Sequence, residues 1–196
     1  MHRTALPLVL IFLVFFYCSE SDDKKNENNN FFSINSERYP INRAGIIDFG
    51  PDLSNSIYKG NLLVIIFVTE GIEFNQKEDG NLLLEGTGAI MGLVTFSDYK
   101  NYLEDGNYFL NLRPPFEKGD VSIAFYSPTF NSEYVVGPYF NYDGISVLSG
   151  KMIINHLNKN TVVEMNMIDE IGNTIYTTFE GNLEVLNYNI LPKILQ

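Results

Sequence analysis

From Asn173 to Val185 the chain alternates, with Ile175, Thr177, Phe179, Gly181, Leu183 and Val185 on one face and Tyr176, Thr178, Glu180, Asn182 and Glu184 on the other. Period two over such a length predicts a β-strand with one wet face. Thr161 to Ile168 repeats the pattern, setting Val163, Met165 and Met167 against Glu164 and Asn166. The linker Asp169-Glu170-Ile171-Gly172-Asn173 makes the two strands a hairpin. Upstream, Asn61 to Thr69 is a continuous apolar run that suits a buried central strand. Leu82 to Leu84 and Ala89 to Phe96 follow, with Gly86, Gly88 and Gly92 marking a bend or bulge. Tyr108 to Leu112 is stopped by Pro114-Pro115, and Val121 to Tyr126, Tyr134 to Phe140 and Ile145 to Ile154 complete the set. Ile46 to Phe49 is a candidate first strand, and Ser97 to Asp105 fits either a turn or two of helix capped by Ser97 or a polar loop.

About nine short strands parted by Gly, Asn and Asp predict an all-β domain, an antiparallel β-sandwich. Strand number alone leaves a closed antiparallel β-barrel as the alternative.

The pattern breaks at the N-terminus. His2 and Arg3 precede an apolar stretch from Ala5 to Tyr17, and Cys18 closes it before Ser-Glu-Ser-Asp-Asp. Basic start, short apolar run and polar follow-on make a secretory signal, since a membrane-spanning helix needs about 20 apolar residues. Ser19 to Ser36 is rich in Asp, Lys and Asn, with only Phe31, Phe32 and Ile34 to bury, so it is expected to stay a flexible tether. Cys18 is the one cysteine of the chain, which excludes an internal disulfide.

Val14-Phe15-Phe16-Tyr17-Cys18 resembles the box of bacterial lipoproteins, whose cysteine becomes the lipidated first residue of the mature chain. Tyr17 departs from that pattern, because such boxes usually carry a small residue there. Ser21-Asp22-Asp23 resembles the acidic export signal that sends lipoproteins of Bacteroidota to the outer face of the outer membrane. Ser149-Gly150-Lys151, the strand Val162 to Met167, Asp169 with Gly172-Asn173, and Phe179-Glu180-Gly181-Asn182-Leu183 are similar to the closing strands of small lipoproteins of that group. The resemblance implies a lipid-anchored β-sandwich protein, with no catalytic residues to carry over. The expected organisation is a signal peptide over residues 1–17, a lipidated tether over 18–36 and a β-sandwich domain over 37–196.

Charge narrows the partners. With 24 acidic against 13 basic residues and a formal net charge of −11, the chain repels phosphate backbones, which disfavours nucleic acid. Anionic lipid head groups are disfavoured in the same way, leaving the N-terminal lipid as the membrane attachment.

Chemistry is sparse. After the signal one histidine remains, His156, at a strand end beside Asn158-Lys159-Asn160 with no nucleophile motif near it. Zinc sites need several His or Cys ligands, and Gly86-Thr87-Gly88 opens a strand where a phosphate loop would open a helix. No metal, cofactor or catalytic residue is therefore expected. The acids gather in turns such as Glu78-Asp79-Gly80 and Glu104-Asp105-Gly106, where turn chemistry accounts for them.

The stretch AFYSPTFNSEYVVGPYFNYDG, residues 124–144, is the most suggestive. Tyr134, Tyr139 and Tyr142 could stack on sugar rings, with Asp143 bonding hydroxyls, although packing at the sandwich end explains the same rings. The expected role is non-enzymatic binding or structure in the cell envelope, on the outer membrane and facing outward, with a glycan or an envelope protein as candidate partner. The alternatives are a glycan- or peptide-binding accessory module of a surface uptake system and a glycoside hydrolase using paired carboxylates.

Overall fold

The structure, a computed structural model, describes residues 29–52, 56–77, 82–136 and 144–188. The residues expected to form the signal, including Cys18, lie outside the described residues, as do Tyr139, Tyr142 and Asp143. The fold is all-β. Its strands are β1 (Phe31–Ile34), β2 (Glu37–Pro40), β3 (Arg43–Pro51), β4 (Asn61–Val68), β5 (Ile72–Gln76) and β6 (Leu82–Ser97). They continue with β7 (Gly106–Leu110), β8 (Asp120–Val136), β9 (Ile145–Leu157), β10 (Asn160–Asp169), β11 (Thr174–Gly181) and β12 (Glu184–Val185).

They make one 12-stranded sheet in the order β12-β3-β4-β6-β8-β7-β9-β10-β11-β1-β2, with β5 attached to β6. Pairing is antiparallel except at β12–β3 and β7–β8. The sheet folds over on itself. Leu63, Ile65 and Phe67 of β4 and Met91 of β6 share one core with Met165 of β10 and Ile175 and Phe179 of β11. Across that core the Phe67 and Phe179 rings meet edge to face at 5.6 Å, and the Thr177 hydroxyl reaches the Met91 sulfur at 3.3 Å. Among the described residues the path of pairing is open, ending at β12 and β2, and the layers face each other as in a sandwich.

The other face of β3, β4, β6 and β8 carries a second core, made by Ile47, Val64, Ile66, Ile90, Val94 and Phe96 among others. β5 and the segments holding Tyr58, Phe116 and Leu186 cover it. β4 is thus buried along its whole length, which is why its sequence is apolar without alternation. Each such Val, Leu, Ile or Phe contributes about 1.5–3 kcal/mol of burial. β10 and β11 have one core only, and their buried and exposed positions alternate.

Several expectations shift. The glycine-marked bend is real, with a register slip between Gly88 and Ile90, but β6 runs through it, joining the two expected strands; β8 likewise starts at Asp120 and continues to Val136. Gly86 has φ +128°, and a Cβ there would overlap the Gly71 carbonyl oxygen. Gly86→Ala is therefore expected to cost about 2–3 kcal/mol, read as a lowered urea midpoint; an unchanged midpoint would show that this hairpin tolerates a side chain.

Among the described residues the count rises from about nine strands to twelve because β1, β2, β5 and β12 are short; β1 and β12 also pair with distant partners, β11 and β3, while β2 and β5 pair with their chain neighbours β1 and β6. The tether expected over residues 18–36 is corrected at its end. Phe31–Ile34 pairs with β11 and β2, Phe32 is fully buried, and Asn30 exchanges hydrogen bonds with the Glu180 backbone. An open slot beside β11 supplies the burial that the Asn-rich sequence alone lacks. The long strand expected to Val185 stops at Gly181, after which Glu184 and Val185 cross to β3. Ser97 ends β6, and Asp98 to Asp105 is a loop, the second of the two forms expected for this segment.

Candidate functional site

A cleft of about 220 Å³ opens at the β9–β10 turn. Its floor is Ile46, Leu103 and Leu183, all part of the main core, and its walls include Asn101, Tyr102, His156, Lys159, Thr161 and Asn182. The loop between β6 and β7 supplies Asn101 and Tyr102. That loop is tied down at several points. The Ser97 hydroxyl donates to the Tyr102 carbonyl at 2.7 Å and accepts from the Tyr99 amide at 3.1 Å. The Asn101 amide donates to Asp48 at 3.2 Å, and Leu103 is buried beneath. Tyr108 donates its buried hydroxyl to the Glu104 carbonyl at 3.0 Å. Burial pushes the Tyr108 phenol up to about 12, against the pull of that hydrogen bond.

β7 pairs with β9 in the register Gly106↔Ile154, which brings Asp105 to the end of β9 where His156 stands. His156 Nδ1 lies 2.6 Å from Asp105 Oδ1. A carboxylate at that distance accepts a hydrogen bond from Nδ1–H and orients the ring. The imidazole stacks on Tyr102 at 4.8 Å with 19° between planes, and Tyr99 meets Tyr102 edge-on at 6.0 Å. Tyr102 remains 44% exposed and Tyr99 56%. A set of aromatic rings thus stands beside amide, hydroxyl and ammonium groups, an arrangement suited to holding a polar ligand with an apolar face.

This is half of a nucleophilic device. His156 has an orienting carboxylate, and the groups bonded to Nδ1 are Asp105 and, at 3.5 Å, the Tyr102 hydroxyl. None of the residues lining the cleft is an acid. Among the described residues no three His, Cys, Asp or Glu side chains come together to hold a metal ion, and no helix is long and apolar enough to cross a membrane.

Of the residues singled out in sequence, Tyr134 is half-buried and packs against the second core, on the other side of β3, β4, β6 and β8 from the cleft floor. Tyr126 and Phe130, from the same aromatic stretch, are fully buried. Asp169, quoted in the closing pattern, is a structural carboxylate. It is 2% exposed and accepts from Tyr126 Oη, the Ile171 and Asn173 amides and Asn173 Nδ2. Tyr99, Tyr102, Asp105 and Lys159 were not among the sequence candidates. Their sequence signal is faint, two tyrosines three apart in a polar loop, and only the β7–β9 pairing places that loop beside His156.

The fold and the cleft together define an all-β protein with a ring-lined polar cleft. Comparison with protein-family models, with curated proteins and with solved structures finds no match to this chain.

Proposed function

We propose that this chain is a lipid-anchored protein of the cell envelope, held at the outer membrane through Cys18, whose β domain binds a ligand without chemically changing it. The anchor rests on the run from Ala5 to Cys18 and the acidic residues after it. The binding role rests on one observation, the cleft in which Tyr102 and His156 stack beside Asn101, Asn182, Thr161 and Lys159. Sugar rings suit such a surface. They present an apolar face to an aromatic ring and a rim of hydroxyls that both donate and accept, as the amides and the threonine hydroxyl do. The reading is therefore a glycan-binding module at the cell surface.

The full chain in mild detergent, applied to a glycan and peptide array, tests it. Binding is expected on the glycan side. Tyr102→Ala should weaken it about tenfold, as lost stacking of about 1.4 kcal/mol implies, with little change in unfolding midpoint because the ring is substantially exposed. Binding that survives Tyr102→Ala at full strength would remove this cleft from the reading.

A further inference from the structure

Resting on the reading of the cleft as a glycan site, we infer that its ligand is an acidic sugar, whose carboxylate meets Lys159. The chain carries 24 acidic and 13 basic residues, yet the cleft lining holds a lysine and a histidine and no acid. Two carboxylates touch this lining: Asp105 is engaged by His156 at 2.6 Å, and Asp48 accepts from the Asn101 amide at 3.2 Å. Among the described residues Arg43, Lys59, Lys77 and Lys118 pair with carboxylates; Lys159 is among the cations that form no ion pair, and it is the one of these that lines the cleft. Lys159 is thus a cation at the cleft wall of an acidic molecule.

The position of Lys159 is set by the backbone. Leu157 and Asn160 pair across the β9–β10 turn, so Asn158 and Lys159 form its two-residue tip, with Asn158 in the left-handed region at φ 59°. Such tight turns place their residues reproducibly, which presents the lysine at the cleft wall without ordering a long loop. An ammonium without an acidic partner is a ready donor to a carboxylate. The chemistry around it selects the rest of the ligand. Asn101, Asn182 and Thr161 each both donate and accept, matching hydroxyls, and Tyr102 offers a ring. A peptide would present its donors and acceptors as a backbone ladder, for which a strand edge is the usual partner. A negatively charged protein repels anions at long range, so this recognition acts at short range and depends on the single cation.

The test uses the full chain in mild detergent and calorimetric titration with short oligomers of galacturonate, glucuronate and mannuronate, each also as its methyl ester. Esterification removes the charge and keeps the sugar. At least one acid oligomer is expected to bind about two- to fivefold tighter than its ester, the ratio that one exposed ion pair supplies. Lys159→Met should abolish that preference, bringing acid and ester to equal affinity. Equal affinity for acid and ester, or a preference that survives Lys159→Met, overturns the inference and leaves the glycan reading standing. If the uronates fail and a neutral sugar from the array binds, the acidic ligand is likewise overturned. Lys159-dependent capture of a carboxylate-bearing peptide in place of any sugar overturns both, as does the absence of binding to any sugar.

Discussion

Asp169→Ala is expected to lower the unfolding free energy of the domain by about 4 kcal/mol, a large share of the 5–15 kcal/mol typical of a domain. The Asp169 carboxylate receives Tyr126 Oη at 2.5 Å, the Asn173 amide at 2.7 Å, Asn173 Nδ2 at 2.8 Å and the Ile171 amide at 3.0 Å. Hydrogen bonds to an ionised acceptor are stronger than neutral ones, and a buried donor stripped of its partner bears the full desolvation penalty. Tyr126 is 1% exposed, so its hydroxyl has no water to turn to once the carboxylate is gone. The damage spans both layers, because Tyr126 belongs to β8 while Asp169 closes the β10–β11 hairpin. Tyr126→Phe should cost less, about 1–2 kcal/mol, since it removes donor and hydroxyl together. Urea titrations of the two single variants and the double variant measure the coupling directly. Additive costs would mean that the Tyr126–Asp169 bond contributes nothing of its own.

The same pair sets a pH window. Burial acts to raise the Asp169 carboxyl, but the bonds from Tyr126, Asn173 and Ile171 outweigh it and hold the group below its ordinary 3.8. Its contribution is therefore complete above 3.8 and is lost as pH falls through the depressed folded value. Burial, and then Asp169 itself, pushes the Tyr126 phenol up to about 12 from 10.0. That contribution is complete below 10.0 and is lost as pH rises through about 12. Urea midpoints taken across pH should fall at both ends in the parent chain. In Asp169→Asn the acid limb should flatten, and an acid limb as steep as the parent's would assign acid sensitivity to other carboxylates.

What the sequence made legible follows from where burial is decided locally. The β10–β11 hairpin and the fully buried β4 each announce themselves in their own residues, because one face or both are apolar within a single run. The bulge in β6 shows as glycines. β1 and β12 do not announce themselves, since their stability comes from partners more than a hundred residues away, β11 for the first and β3 for the second. The cleft was hidden for the same reason. Tyr102 and Asp105 looked like ordinary loop residues and His156 like a strand end, and only the pairing of β7 with β9 makes them neighbours. In the pattern of Asp169 with Gly172-Asn173 the structure supplies the physical cause, a carboxylate that accepts from both ends of its own turn.

Cys18→Ala, in chains freed of residues 1–17, is expected to move the protein from the membrane fraction to the soluble one almost completely. Membrane attachment by acyl chains scales with buried methylenes, at about 0.8 kcal/mol each, and becomes stable when more than one chain is present. Nothing else in the chain competes for that role by charge, since a net −11 opposes anionic head groups. Phe31–Ile34 belongs to the folded domain, so the proposed anchor at Cys18 lies 13 positions before the first strand in sequence. The parent chain should resist washing with high salt, be released by detergent, and be degraded when intact cells meet an external protease. Tyr17 gives the experiment a second, finer readout. If the bulky ring before the cysteine slows processing, Tyr17→Ala should raise the ratio of mature to precursor chain, while Cys18→Ala should remove the acylated form from the mass spectrum altogether. A Cys18→Ala chain freed of residues 1–17 that stays in the membrane fraction at the parent's level would sink the lipid anchor, and a parent chain untouched by protease on intact cells would place it on the inner face of the envelope.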